Sequence, residues 1–152
     1  MHGGAYCICQ KNIDIVQSYQ TKAARVILQQ GWQKGRKKTH RQDMLDSLGW
    51  PNTRQIVTSA ILNVTKNAIN QKSSAGLNKM FTINMPKNNR LGKGPRISQR
   101  VRRINIKDSF ITKAPELFNQ LPPILRNPLI STQKFKKDLK TYSKSQNLLP
   151  KH

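Results

Sequence analysis

The chain has 152 residues, of which 36% are hydrophobic, so it can bury one modest core. Its 28 lysines and arginines outnumber 6 aspartates and glutamates and give a formal net charge of +22. Such a charge indicates a polyanionic partner, either nucleic acid or an anionic membrane. No apolar run approaches the roughly 20 residues of a membrane-spanning helix, and the N-terminus lacks a secretory signal, so we expect an intracellular protein.

The first predicted helix runs from Lys11 to Gln30, because its apolar residues recur at spacings near three and four. Gly31 is expected to end it. The expected apolar face consists of Ile13, Val16, Ala23, Val26 and Ile27.

Two capping patterns predict the next helices. Thr39 with Gln42 would begin a short helix that ends at Gly49, with Met44, Leu45 and Leu48 on its apolar side. Asn52 with Gln55 would begin a third helix that ends near Asn70. Its expected apolar stripe is Ile56, Val57, Ala60, Ile61, Val64 and Ala68.

The helical period disappears between Gln71 and Ser109, where glycine, proline and basic residues predict an extended arm or a twisted hairpin. Ile104 and Ile106 are the best strand candidates there. From Ser47 to Lys107 the chain has no acidic residue but 12 lysines or arginines, a pattern that favours a phosphate-facing surface over a merely solvated loop.

A short helix, "APELFNQL", is predicted between prolines, with Pro115 in its first turn and Pro122 and Pro123 preventing its continuation. Leu117, Phe118 and Leu121 share one face and should dock on the earlier helices, with Phe118 and Leu121 against the third helix. A last helix should begin after Ser131 or Thr132. Its apolar residues are Phe135, Leu139 and Tyr142, and around them lie Lys134, Lys136, Lys137 and Lys140.

These elements predict a mainly α fold of four to five helices, with a basic arm or short hairpin before the C-terminal helices. The expected organisation is a helical half at 1–70, a basic arm at 71–109, the proline-bounded and C-terminal helices at 110–145, and a tail at 146–152.

Catalytic chemistry finds little support in the sequence. Polymerases and most nucleases hold divalent metals between paired carboxylates, and the one close pair, Asp43 and Asp46, suits a helix surface better. Neither a P-loop nor a nucleophile with a recognisable base is present. Cys7 and Cys9 near His2 make three ligands rather than four, so two buried thiols are the alternative to a zinc site. We therefore expect no catalysis, metal or cofactor.

Nucleic-acid binding fits the residues better, because lysine and arginine contact phosphates and tryptophan stacks on bases. Trp50, between Gly49 and Pro51, is expected to be a core anchor. For Trp32, stacking on a base and packing in the core are about equally expected. The candidate nucleic-acid-binding residues are Lys34, Arg36, Lys37, Lys38, Arg41, Lys87, Arg90, Lys93, Arg96, Arg100, Arg102, Arg103 and Trp32.

Four segments in sequence resemble a known family. "IVQSYQTKAARVI" is similar to a helix of the form "IQxxQNKAARxI", and "LDSLGW" is similar to "LxxLGW". "SFITKAPELFNQLPPILRN" and "STQKFKKDLKTY" resemble "SFxxxAxxLWNxLPxxLR" and "SxxxFKxxLKxY". This order resembles the region after the polymerase core in reverse transcriptases of non-LTR, LINE-type retrotransposons, especially jockey-like elements. Phe118 stands where the family usually has tryptophan.

The resemblance implies a non-catalytic C-terminal fragment of an RNA-directed DNA polymerase, because the family's metal-binding "[YF]xDD" motif lies upstream of the matching region. Gly3 and Gly4 resemble the family's "WGG", which would make Met1 an internal or alternative start. The implied partners are RNA or an RNA/DNA hybrid and the upstream polymerase domains, within a nuclear or cytoplasmic ribonucleoprotein. A standalone RNA-binding or ribosome-associated protein is the alternative. A cationic membrane-active protein fits the charge but not the helix pattern.

Overall fold

The computed structural model describes residues 10–29, 41–86, 94–100 and 109–145, which form seven helices and two strands. In chain order they are α1 (Gln10–Ile27), α2 (Arg41–Ser47), α3 (Thr53–Ile69), α4 (Ala75–Asn78), β1 (Phe81–Asn84), β2 (Arg96–Gln99), α5 (Phe110–Gln120), α6 (Pro123–Arg126) and α7 (Thr132–Ser145). The predicted mainly α fold with a hairpin before the C-terminal helices is confirmed.

The described residues divide into two compact units. Those up to Val57 form the N-terminal unit and those from Thr58 onward form the C-terminal unit, so that α3 contributes its first turn to one and the rest to the other. Each unit has its own buried side chains.

In the N-terminal unit, α1 packs on α2 through a small apolar cluster. Ala24, Met44 and Leu45 are buried at its centre, and the partly buried Trp50 packs against them together with Leu28 and Leu48. The expected role of Trp50 as a core anchor is confirmed. Ala24 matters because its small side chain lets the two helix backbones approach closely.

The predicted apolar face of α1 is wrong. Val16, Val26 and Ile27 are exposed, whereas Gln17, Thr21 and Ala24 are buried at spacings of four and three. The physical reason is a polar contact: Gln17 Oε1 accepts the Thr53 N–H at 2.8 Å and so caps the start of α3. Thr21 can be buried because its hydroxyl donates to the Gln17 carbonyl at 2.7 Å.

Two of the predicted helix boundaries agree with the structure. The Asn52 N–H donates to Gln55 Oε1 and the Gln55 N–H donates to Asn52 Oδ1, both at 2.9 Å, which is a reciprocal capping box. Gly49 follows α2 with a φ of 65°, and the Trp50 N–H reaches back to the Leu45 carbonyl at 2.8 Å.

The end of α1 differs from the prediction. The helix ends at Ile27 rather than Gln30, because Gln29 takes the left-handed conformation with a φ of 51°. Gly31, the predicted end, and Thr39, the first predicted cap, lie outside the described residues.

The buried face of α3 is rotated from the predicted stripe. Ile61 and Ala68 are buried as expected, but Ile56 and Val64 are exposed to 48% and 39%. Leu62, Thr65 and Lys66 are buried instead. Sequence periodicity favoured the apolar residues for the buried side. It could not reveal that Thr65 and Lys66 donate hydrogen bonds to the carbonyls of Ile61 and Asn127, which allows both side chains to be buried.

The described part of the arm contains a hairpin. Strands β1 and β2 pair antiparallel, with Phe81 opposite Gln99 and Asn84 opposite Arg96. The Phe81 ring meets Phe110 of α5 edge-to-face with centroids 5.9 Å apart, which joins the hairpin to the following helix. Ile104 and Ile106, the predicted strand residues, lie outside the described residues.

Helix α5 is longer than predicted. It begins at Phe110, so Pro115 lies inside the helix rather than in its first turn, and it ends where Leu121 becomes extended before Pro122. Residues that precede proline avoid the helical region, which explains this stop. Phe118 and Leu121 are buried as predicted, while Pro123 begins the short helix α6.

Asn119 attaches α5 to the hairpin. Its side-chain Oδ1 accepts the Ile97 N–H and its Nδ2 donates to the Ile97 carbonyl, both at 2.9 Å. The amide thus occupies the free edge of β2 as a neighbouring strand would, and it satisfies both backbone groups of a buried residue.

Gly94→Ala is expected to destabilise the C-terminal unit by about 1–3 kcal/mol, the usual cost of overpacking. A Cβ at this position would lie 2.9 Å from Pro123 Cβ and 3.0 Å from Pro123 Cα, so the backbone must shift. Urea denaturation checks this. Gly76→Ala is the matched control, because a Cβ there meets nothing within 4 Å. Equal stability of the two variants would contradict the close approach of Gly94 to α6.

Candidate nucleic-acid interface

Helix α7 presents a continuous lysine face. Phe135 and Leu139 are buried on one side of the helix. The opposite side carries five exposed lysines, which helical spacing places within about half of the circumference. They are Lys134, Lys136, Lys137, Lys140 and Lys144.

These lysines repel one another, because several pairs stand three or four residues apart on the helix surface. Examples are Lys136 with Lys140 and Lys140 with Lys144. None of the five forms an ion pair within the part of the chain that the structure describes; there the one ion pair joins Lys113 to Glu116 at 3.3 Å. A bound polyanion would reduce this repulsion, and phosphate groups are the anions that such a lysine surface suits.

Three of the predicted binding residues are described. Arg96 begins β2, Arg100 follows it, and both are exposed in the C-terminal unit. The Arg100 N–H donates to the Met80 carbonyl at 2.9 Å, so its backbone is anchored while its side chain stays exposed. Arg41 is exposed at the start of α2 in the N-terminal unit.

The other predicted binding residues lie outside the described ranges. They are Trp32, Lys34, Arg36, Lys37, Lys38, Lys87, Arg90, Lys93, Arg102 and Arg103.

Lys66 is a buried cation in the C-terminal unit. Its side chain is fully buried, its Nζ donates to the Asn127 carbonyl at 2.6 Å, and the same nitrogen lies 5.6 Å from the centre of the Phe135 ring. Burial lowers the pKa of Lys66, because removal from water disfavours the charged form. Lys66 therefore joins α3, α7 and the segment after α6 and is not available to an external anion.

Arg126 is a second buried cation, 7% exposed, at the end of α6. Its Nη1 donates to the Pro95 carbonyl at 3.0 Å and to the Gly94 carbonyl at 3.3 Å, which fixes the segment before β2. Its Nε is buried and has no acceptor in the described chain. Burial, and then the charge of Arg96, lower the pKa of Arg126, although an arginine keeps its charge at physiological pH.

Lys66 and Arg126 were both missed by sequence reasoning. Lys66 had a weak signal, since it stands four residues after Leu62 and so falls on the apolar side of α3. Arg126 had none, because it is the last residue of a four-residue helix, which is too short to show a period. Their burial depends on carbonyl groups supplied from 61 and about 30 residues away in the chain.

Among the described side chains, no three histidine, cysteine or acidic residues come together as a group that could hold a metal ion. Among the same residues, no helix is both long and apolar enough to span a bilayer. What the arrangement can do chemically is hold anions, with exposed lysines on α7 and with arginines placed by the hairpin and α6.

Comparison with protein-family models, with curated proteins and with solved structures finds no match for this chain.

Proposed function

We propose that this chain is a non-catalytic, nucleic-acid-binding module that contacts RNA or an RNA/DNA hybrid through phosphate groups. The observation that carries the proposal is the lysine face of α7, whose lysines form no ion pair among the described residues. The hairpin arginines Arg96 and Arg100 add exposed positive charge in the same unit. Lysine and arginine contacts of this kind supply affinity without reading sequence.

The burial of the apolar side of α7 favours nucleic acid over a membrane surface. A helix that lies in a lipid interface inserts its apolar face, so that face must be free. Phe135 is fully buried and Leu139 is 2% exposed, so both are committed to the protein core. The lysines of α7 therefore face the solvent, while the apolar side of the same helix is not free to enter a membrane. Such a surface suits a charged polymer in water.

The likeness of four segments to non-LTR reverse transcriptases supports a more specific proposal. In that family, the corresponding region follows the polymerase core, so the parent protein would hold template RNA or the primer hybrid with this module, inside a nuclear or cytoplasmic ribonucleoprotein. A genomic reading frame upstream of Met1 that encodes a polymerase domain with an Asp-Asp metal motif tests this origin. An isolated locus without such a frame would contradict it.

Neutralising the lysine face is expected to weaken the salt dependence of RNA binding. With Lys137, Lys140 and Lys144 changed to glutamine, the slope of log K against log[salt] on single-stranded RNA should become shallower by about two, because each lost phosphate contact removes about 0.7. Affinity should fall similarly for unrelated RNAs of equal length, since phosphate contacts carry no sequence information. A salt titration with fluorescent RNAs measures both quantities.

The control removes the same formal charge from another exposed surface. Lys11, Lys22 and Arg25 are exposed on α1, and their change to glutamine should alter the slope by less than half as much. If the two triple variants behave alike, binding follows net charge alone and the α7 interface is excluded. If the parent chain binds no RNA at low salt, the proposed function fails.

A further inference from the structure

Arg126 presents an incompletely satisfied guanidinium group. Its Nη1 points to the carbonyls of Gly94 and Pro95. A guanidinium group is planar, and its Nε and Nη2 form the opposite edge, with two parallel N–H directions that match the oxygens of a phosphate. Nε on that edge is buried and has no acceptor in the described chain. Buried N–H groups rarely lack a partner in a complete assembly.

A second arginine lies close to Arg126. Arg96 directly follows Pro95, whose carbonyl is 3.0 Å from Arg126 Nη1, so the backbone brings the two residues together. The two charges are close enough that Arg96 contributes to lowering the pKa of Arg126. Among the described residues, no carboxylate forms an ion pair with either arginine. Two adjacent cations without a counter-ion repel each other unless an anion binds between them.

We propose that Arg126 and Arg96 together bind one phosphate group of the nucleic-acid backbone, with Arg126 as the fixed, partly buried donor and Arg96 as the exposed, movable one. The inference rests on the proposed function and names one position within it. Because Nε is covered, a small side-chain movement must admit the phosphate oxygen. Arg96 is exposed, so its long side chain can turn toward the same phosphate without disturbing the core.

The rigid setting of Arg126 distinguishes this position from the lysines of α7. Its carbonyl partners hold the guanidinium plane, so little side-chain freedom remains to be lost when a phosphate binds. Gly94 keeps those carbonyls near α6, since a Cβ there would collide with Pro123. The site therefore fixes where the backbone of the nucleic acid crosses the C-terminal unit, while the lysines add affinity with little positional preference.

The test combines NMR with binding to a short single-stranded RNA. In the ¹⁵N-labelled chain, the Arg126 Nε–Hε signal, assigned by its loss in Arg126→Lys, is expected to shift when RNA is added. Inorganic phosphate should shift the same signal at higher concentration, which shows that the phosphate group is the recognised chemistry. Arg96→Gln should weaken RNA binding about five- to tenfold at low salt and make the salt slope shallower by about 0.7.

Two comparisons separate a binding site from a structural role. Lys72→Gln removes one exposed charge of the same unit and should change affinity less than twofold. The double variant Arg96→Gln with Arg126→Lys should lose little more than the more damaging single change, because both residues act on the same phosphate. Thermal unfolding of Arg96→Gln should match that of the parent chain.

Several results would overturn the inference. If RNA binds but Arg96→Gln behaves like Lys72→Gln, or if the Arg126 signal does not move at saturating RNA, the phosphate position is wrong and the proposed function stands. If inorganic phosphate moves the signal but RNA does not, the pair binds free anions and not nucleic acid. If the parent chain binds no RNA, the inference and the proposed function fall together.

Discussion

Phe118→Ala is expected to lower the free energy of unfolding of the C-terminal unit by about 3–5 kcal/mol, as truncation of a buried aromatic residue usually does. Phe118 is 1% exposed, and it precedes Asn119, whose amide holds both backbone groups of Ile97. Loss of this buried ring leaves a cavity on the packed side of α5. Because small domains are stable by only about 5–15 kcal/mol, this variant should lose much of its folded population on mild heating.

Urea denaturation, followed by the amide NMR signals of the hairpin, measures this change within the C-terminal unit. Leu129→Ala is the matched control, because Leu129 is 90% exposed and its truncation removes apolar surface without opening a cavity. That control should stay within about 0.5 kcal/mol of the parent. A Phe118→Ala variant that unfolds like the control would show that α5 does not belong to a packed core.

Lys66→Ala is expected to cost about 2–4 kcal/mol, whereas Lys66→Met should stay within about 1 kcal/mol of the parent chain at neutral pH. Alanine leaves a cavity beside Phe135, where the lysine stem is now fully buried. Methionine nearly fills that volume and removes the cost of burying an ammonium group. The Asn127 carbonyl loses the Lys66 donor in both variants, but it keeps the Ile130 N–H as a donor at 3.3 Å, and Asn127 is exposed to water.

The pH dependence tests the buried charge itself. Because burial lowers the pKa of Lys66 below its usual 10.5, the folded chain releases this proton more readily than the unfolded chain. The stability of the parent relative to Lys66→Met should therefore be lowest below the folded pKa and rise as the pH increases toward 10.5. Urea denaturation of both proteins at several pH values measures the difference. A parent chain that loses stability relative to Lys66→Met over this range would contradict the assignment.

Local features of the sequence determined several of the helix boundaries. The capping pair Asn52 and Gln55, the glycine at position 49 and the double proline at Pro122 each act through neighbouring backbone groups, so the printed residues suffice to predict them. The amphipathic pattern of α7 was equally local, since Phe135 and Leu139 are the buried residues and the lysines are the exposed ones. The basic character that indicates a phosphate-bearing partner is a property of composition alone.

Tertiary contacts decided what local patterns could not. On α1, Gln17 is buried instead of the predicted apolar residues, because its side chain accepts the first N–H of α3. That N–H is 36 residues away in the chain. Lys66 and Arg126 are buried because distant carbonyls receive their N–H groups, which compensates part of the cost of desolvating a charge. The burial of a side chain thus depends on hydrogen-bond partners that are distant in the chain, and the periodicity of the sequence does not reveal them. In this chain such partners allow two cations to be buried inside the C-terminal unit.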